Sequence, residues 1–229
     1  MFTVFWGVPR RVSVEVRVKI VVVGGRTLVG DALVRVAVRR GHEVRVLCPA
    51  VGAEPWAGQD LDRDLHAVRA VIDVAVCPDP DEALRFHRAC TVGLLNAGTA
   101  AGVAHHVLFN LTGRGPVPEG GLFRAKAAQE DLVRRSSLPH TVVRATRLFD
   151  FLAALAALAA VATPADAALL ARAAVQPRAM EGLAEALADI AAGPPANTVV
   201  ELGGFQHWGI DHFLAQHLTA PRRLGYSTG

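Results

Sequence analysis

At 229 residues the chain is long enough for one domain with a sizeable core and too short for two full enzyme domains. A hydrophobic fraction of 52% with 20% charged residues excludes a largely disordered chain, and the longest apolar run, Phe151 to Ala162, is too short to span a bilayer. The net charge of +3 is mild and the basic residues are scattered, which argues against a nucleic-acid partner. All but Lys19 and Lys126 of the 24 basic residues are arginine, a pattern of coding bias. Cys48, Cys77 and Cys90 are odd in number, lack C-x-x-C spacing and sit in apolar surroundings, so buried thiols in a reducing, cytoplasmic compartment are expected. At the N-terminus the arginines follow the apolar FTVFWGV instead of preceding it, and Val12, Val14, Val16 and Val18 alternate like a strand. Residues 1–17 are therefore expected to be an extension running into the first strand, not a signal peptide.

The first ordered unit is Lys19 to Gly30, KIVVVGGRTLVG. An apolar strand runs into a glycine pair, and Leu28, Val29, Leu33, Val36 and Ala37 then follow at helical spacing. In a doubly wound sheet such a turn aims the free N–H groups of a helix at a phosphate, so Gly24, Gly25, Arg26, Thr27, Leu28, Val29 and Gly30 form a candidate dinucleotide site. A glycine pair between strand and helix also occurs in sheets that bind nothing. Thr27 is a departure, because its Cβ and hydroxyl stand where glycine normally lets a pyrophosphate approach.

Gly41 predicts a helix stop and His42 to Cys48 a second parallel strand. Cys48 and Pro49 follow, where an acidic residue would suit the ribose hydroxyls of NAD and an arginine the phosphate of NADP. Either Arg26 supplies that charge from the turn or it is a solvated arginine. Gly52, Pro55 and Gly58 break Ala50 to Leu65, in which a short third strand is expected. Strands at Val71 to Cys77, His105 to Leu111, Thr141 to Ala145 and Thr198 to Leu202 alternate with helices at Asp81 to Ala101, Gly121 to Arg135, Phe149 to Ala162, Arg178 to Ala192 and Asp211 to Leu218. The alternation predicts an α/β fold: a doubly wound, mostly parallel Rossmann-like sheet in three α/β/α layers. His105 and His106 point to opposite faces, and His212 and His217 face different ways on a helix, so no metal site is expected among these or around His207 and Asp211. Chemistry is expected near the loop Thr112 to Gly120, at the carboxyl end of a central strand.

Four segments carry a resemblance: VVVGGRTLVG (Val21 to Gly30), AGVAHHVLFNLTG (Ala101 to Gly113), LFRAKAAQEDLVRRSSLPHTVVRATRLFDFL (Leu122 to Leu152) and VQPRAMEGLAEALADIAAGPPANTVVELGG (Val175 to Gly204). Together they resemble the NmrA-like branch of the atypical short-chain dehydrogenase/reductases over most of residues 18–204. The resemblance implies one NAD(P)-binding domain over 18–229 with a substrate-side region at about 149–229. It further implies either NAD(P)H-dependent reduction of a small carbonyl or quinone-like acceptor, or a non-catalytic NADP(H) sensor or regulator. Arg26 favours NADP(H) over NAD(H). The family's Y-Y-R-A-K block reads Leu122, Phe123, Arg124, Ala125, Lys126 here, so the tyrosine of the Y-x-x-x-K pair is absent, and the chain's one tyrosine is Tyr226. A tyrosine there protonates the carbonyl oxygen as hydride arrives, which leucine cannot do. The resemblance leaves Lys126 and Asn110 as candidate catalytic residues, Lys126 for the nicotinamide ribose and Asn110 in place of the usual serine, with Thr112 as another donor. The chain ends soon after Asp211, where relatives carry a further segment, so an open site is expected. The alanine-rich helix at Phe149, apolar all round apart from Asp150, is either buried or an oligomer contact, and in the second case a homodimer is expected; the substrate or protein partner is not named by any motif.

Overall fold

The computed structural model describes residues 17–52, 54–77, 79, 81–110, 121–144 and 177–202. The elements expected at Phe149 and at Asp211, together with Thr112, His207, His212, His217 and Tyr226, lie outside the described residues, as does nearly all of the N-terminal extension.

Strand β1 (Lys19–Val23) leads into α1 (Leu28–Arg39), then β2 (Glu43–Leu47), α2 (Leu61–Leu65), β3 (Ala70–Asp73), α3 (Ala83–Ala100) and β4 (His105–Asn110). Helix α4 (Gly121–Arg135), β5 (His140–Arg144), α5 (Pro177–Ala192) and β6 (Thr198–Glu201) complete the described chain. All six strands are parallel, in the order β2-β1-β3-β4-β5-β6. Strand β1 lies between two strands that come after it, pairing Val21 with Arg45 on one side and with Val71 on the other. That reversal is the topological switch point of a doubly wound sheet. The molecule is a three-layer α/β/α Rossmann-like domain.

The expected third strand is replaced. Among the described residues of 50–65 there is a turn at Pro55–Gly58 and then α2, whose N-cap Asp60 accepts from the Arg63 amide at 3.1 Å. Gly58 has φ +74°, a turn conformation incompatible with an extended run, and Asp60 begins a helix where the strand would continue. Strand β2 is consequently at one end of the described sheet.

The sheet is buried on both sides. Val21, Val71, Leu108 and Val142 face α3 and α4, packing with Phe86, Leu94 and Val133. Ile20, Ile72, Val107 and Val143 face α1 and α5, packing with Leu33, Val36, Leu183 and Leu187. His105 and His106 do take opposite faces, but β4 is interior to the sheet and both rings are fully buried. Cys77 and Cys90 are buried thiols and Cys48 is half-buried; all three are free.

Candidate functional site

The strand-to-helix turn sits where β1 and β3 end, and its three glycines are demanded by internal packing. A Cβ on Gly24, whose φ is +82°, would lie 2.6 Å from the Ala75 Cα just beyond β3. One on Gly25 would meet Val46 of β2 at 2.5 Å, and one on Gly30 would lie 2.2 Å from the Gly24 carbonyl oxygen. Helix α1 is thereby drawn against the sheet with its N-terminus at the switch point.

Thr27 is the N-cap of that helix. Its hydroxyl donates to the Gly24 carbonyl at 2.9 Å and accepts from the Gly30 amide at 3.1 Å, while the Asp31 amide bonds the Thr27 carbonyl at 2.8 Å. The threonine that departs from the glycine pattern therefore closes the turn by itself. The amides of Leu28 and Val29, in the first helical turn, have no acceptor among the described residues. Leu28 is exposed and Val29 half-buried. Arg26 is exposed on the same turn and has no ion-pair partner among the described residues, unlike Arg35, Arg39, Arg40 and Arg45.

Lys126 and Asn110 meet beneath this turn, between the sheet and α4. Lys126 is 4% exposed; its ammonium donates to the Ala75 carbonyl at 2.8 Å and to Gln129 Oε1 at 2.9 Å. Gln129 in turn donates through Nε2 to Asp73 Oδ2 at 2.9 Å, and the other Asp73 oxygen accepts from the Ala75 amide at 3.0 Å. Burial pushes the Asp73 carboxyl above its usual range, with the Lys126 charge pulling the other way. Burial likewise brings the Lys126 ammonium down to about 8, and the Asp73 charge opposes that fall. Asn110 donates to the Lys126 carbonyl at 3.3 Å and to Glu130 Oε2 at 3.0 Å. Both neighbours are acceptors, which fixes Nδ2 on that side, leaves Oδ1 buried without a partner among the described residues, and commits both amide hydrogens inside the protein. Glu130 also receives a fork from Arg144, through Nε at 3.0 Å and Nη2 at 2.5 Å.

Leu122 and Phe123 stand half-buried at the start of α4, so among the described residues no hydroxyl acid is placed beside Lys126. Asp73, Gln129, Glu130 and Arg144 were not singled out from the sequence. Their signals were an acid inside the apolar run VIDVAVC, where β3 ends at Asp73 instead of continuing to Cys77, and polar residues three and four positions after Lys126, which share its helix face. Elsewhere, an open depression of about 520 Å³ is lined by Trp56, Gln59, Asp60, Leu61, Gly93 and Asn96 among others, on α2 and α3. No group of metal-binding side chains occurs among the described residues, and no helix among them is long and apolar enough to cross a membrane.

No family model matches the chain, and no curated protein matches it. Solved structures similar to it include WbmH from Bordetella bronchiseptica in complex with NAD+, 14% identical over 57% of this chain and 56% of that one, with a TM-score of 0.47. WbmG from the same organism, in complex with NAD and UDP, is 20% identical over 64% of this chain and 62% of its own, with a TM-score of 0.48. A short-chain dehydrogenase/reductase superfamily protein from Agrobacterium tumefaciens with bound NAD is 23% identical over 55% and 48%, with a TM-score of 0.47. The chain thus spans 48% to 62% of the length of these structures. At such identities and TM-scores the likeness adds nothing to what the strand order shows: a Rossmann-like fold.

Proposed function

We propose that this chain binds a nicotinamide dinucleotide, NADP(H) in preference to NAD(H), across the ends of β1 and β3, and acts as an NAD(P)H-dependent oxidoreductase of the NmrA-like short-chain type. The observation that carries the reading is the close-packed glycine turn at the switch point, with the Leu28 and Val29 amides open toward a phosphate. The pyrophosphate takes those amides and the helix N-terminus, and Arg26 supplies charge for the phosphate of NADP(H). Bound there, the cofactor supplies hydride. With Leu122 in the tyrosine position and both Asn110 amide hydrogens engaged, an acceptor that takes its proton from water suits the site, a quinone-like compound before a simple carbonyl.

The same two features favour a second reading, a cofactor-binding sensor or regulator without turnover. Calorimetric titration with NADPH and NADH comes first: binding of NADPH tighter than NADH is expected, and binding of neither sinks both readings. With binding established, NADPH oxidation over a quinone panel separates them, since absence of turnover leaves the sensor.

A further inference from the structure

Ala75 is held at both ends of its backbone. Its amide donates to Asp73 Oδ1 at 3.0 Å, and its carbonyl accepts from the Lys126 ammonium at 2.8 Å. Gln129 closes the loop, accepting from that ammonium at 2.9 Å and donating to the second Asp73 oxygen at 2.9 Å. Asp73 is fully buried, as is Gln129, so water does not compete for these bonds. The residue so held is the one on which the glycine turn rests: a Cβ at Gly24 would lie 2.6 Å from Ala75 Cα and 2.8 Å from its nitrogen. The preceding amide, Val74, is tied to the Val23 carbonyl at 3.0 Å, so β1 and the segment beyond β3 move together.

We propose that Asp73, Gln129 and Lys126 are positioning residues that clamp Ala75 as the floor of the phosphate turn, and that Lys126 acts on a bound dinucleotide through this floor. The inference rests on the dinucleotide reading above. A helix-borne lysine fastens the carbonyl, a strand-end aspartate fastens the amide, and glutamine fixes the distance between the two charges. A ligand approaching Gly24 and Gly25 then meets a turn whose support has no freedom to recede, which lowers the ordering cost of binding. Neither Asp73 nor Gln129 has to touch the ligand for this to hold.

The test compares ADP, which lacks the nicotinamide ribose, with NADPH, in the full chain carrying Lys126→Met, Gln129→Met or the milder Asp73→Asn, with folding checked by thermal unfolding. The clamp predicts that affinity for ADP and for NADPH falls by the same factor, about three- to thirtyfold, in each variant that folds. Hydrogen exchange should quicken in the peptides covering Val74 to Cys77 and Gly24 to Thr27. Loss of NADPH affinity in Lys126→Met with ADP affinity unchanged makes the lysine a direct ribose ligand and overturns the clamp. So does unchanged exchange in the Gln129 and Asp73 variants. Should the unaltered protein bind neither nucleotide, the dinucleotide reading falls, and the exchange measurement alone decides whether Ala75 is clamped.

Discussion

The two faces of the sheet are built on different principles. Between the sheet and α1 and α5 the interior is aliphatic, with Leu33, Val36, Leu183 and Leu187 at its centre, and charge is kept to the rim, where Arg39 pairs with Glu181 at 2.7 Å and Arg40 with Asp189 at 2.6 Å. A polar contact on this face is His105, bonded to Thr141 at 2.8 Å. Between the sheet and α3 and α4, by contrast, Asp73, His87, Thr91, His106, Asn110, Lys126, Gln129 and Glu130 are all buried. Burying ionised and hydrogen-bonding groups costs more than filling the same space with leucine unless each is satisfied. One face is therefore a support, and the other retains polar groups that packing alone would not select. Of the candidate site, Lys126 and Asn110 lie on the second face, whereas the open amides of the glycine turn belong to α1 on the first.

The largest effects should expose this difference. Glu130→Ala strips Arg144 of its bidentate partner and leaves the Asn110 amide with the Lys126 carbonyl as its one acceptor among the described residues, and should lower stability by about 3 to 5 kcal/mol, the usual cost of removing one partner of a largely buried ion pair. On the aliphatic face Leu187→Ala should cost about 2 to 5 kcal/mol through lost contacts and a cavity. Urea unfolding measures both, and salt separates them: the Glu130 effect has an electrostatic part, whereas the Leu187 effect should be insensitive to ionic strength. If the Glu130 variant is as stable as the parent, the polar face is not held by its charges.

Acid should break the faces unequally. Burial lowers His87 and His106 to about 3 and His105 to about 4, and neither ring nitrogen of His87 or His106 has a hydrogen-bond partner among the described residues. Since these folded-state values lie below that of the unfolded chain, the unfolded state binds more protons between about pH 6.5 and 3. Stability is full above that window and should fall as pH drops through it, by about 1.4 kcal/mol per pH unit for each histidine. His87→Leu should flatten the dependence by one proton; an unaltered slope in unfolding measured from pH 7 to 4 would show that His87 is not buried neutral.

Smaller still is the cap. Thr27→Ala removes the hydroxyl from Gly24 and Gly30 and should cost about 1 kcal/mol, while Thr27→Ser should retain most of it. At the rim Arg39→Ala should cost less than about 1 kcal/mol, because both partners are exposed. A rim loss equal to that of Glu130→Ala would erase the distinction between the faces.

Periodicity made the scaffold legible. Gly121 to Arg135 is helical over the expected span, and β4 and β5 fall within one residue of their expected limits, because long apolar patterns and glycine stops are local signals. The segment at 50–65 is poorly legible because alternation there is weak and the helix is announced by a single N-cap aspartate. Of the site, the glycine turn was legible, since strand, small residues and helix are contiguous. The surroundings of Lys126 were not. Asp73 and Gln129 are 56 positions apart, and only the pairing of β3 with β4 and the packing of α4 beneath them bring the carboxylate within 2.9 Å of the amide. Thr27 shows the same limit at short range: the sequence presents a crowded phosphate site, and the folded turn presents a helix cap.

The strand order also sets a timetable for synthesis. Strand β1 needs β2 and β3 on its two sides, so its pairing cannot be complete until Asp73 has been made, whereas β4, β5 and β6 each add beside the strand before them. From β3 onward the sheet can grow outward as the chain emerges. The fastening of Ala75 comes later, because Lys126 and Gln129 lie some fifty residues beyond it. A nascent chain stopped between β4 and α4 would thus carry a formed glycine turn over an unfastened floor, and should acquire protection at Gly24 to Thr27 only when α4 leaves the ribosome.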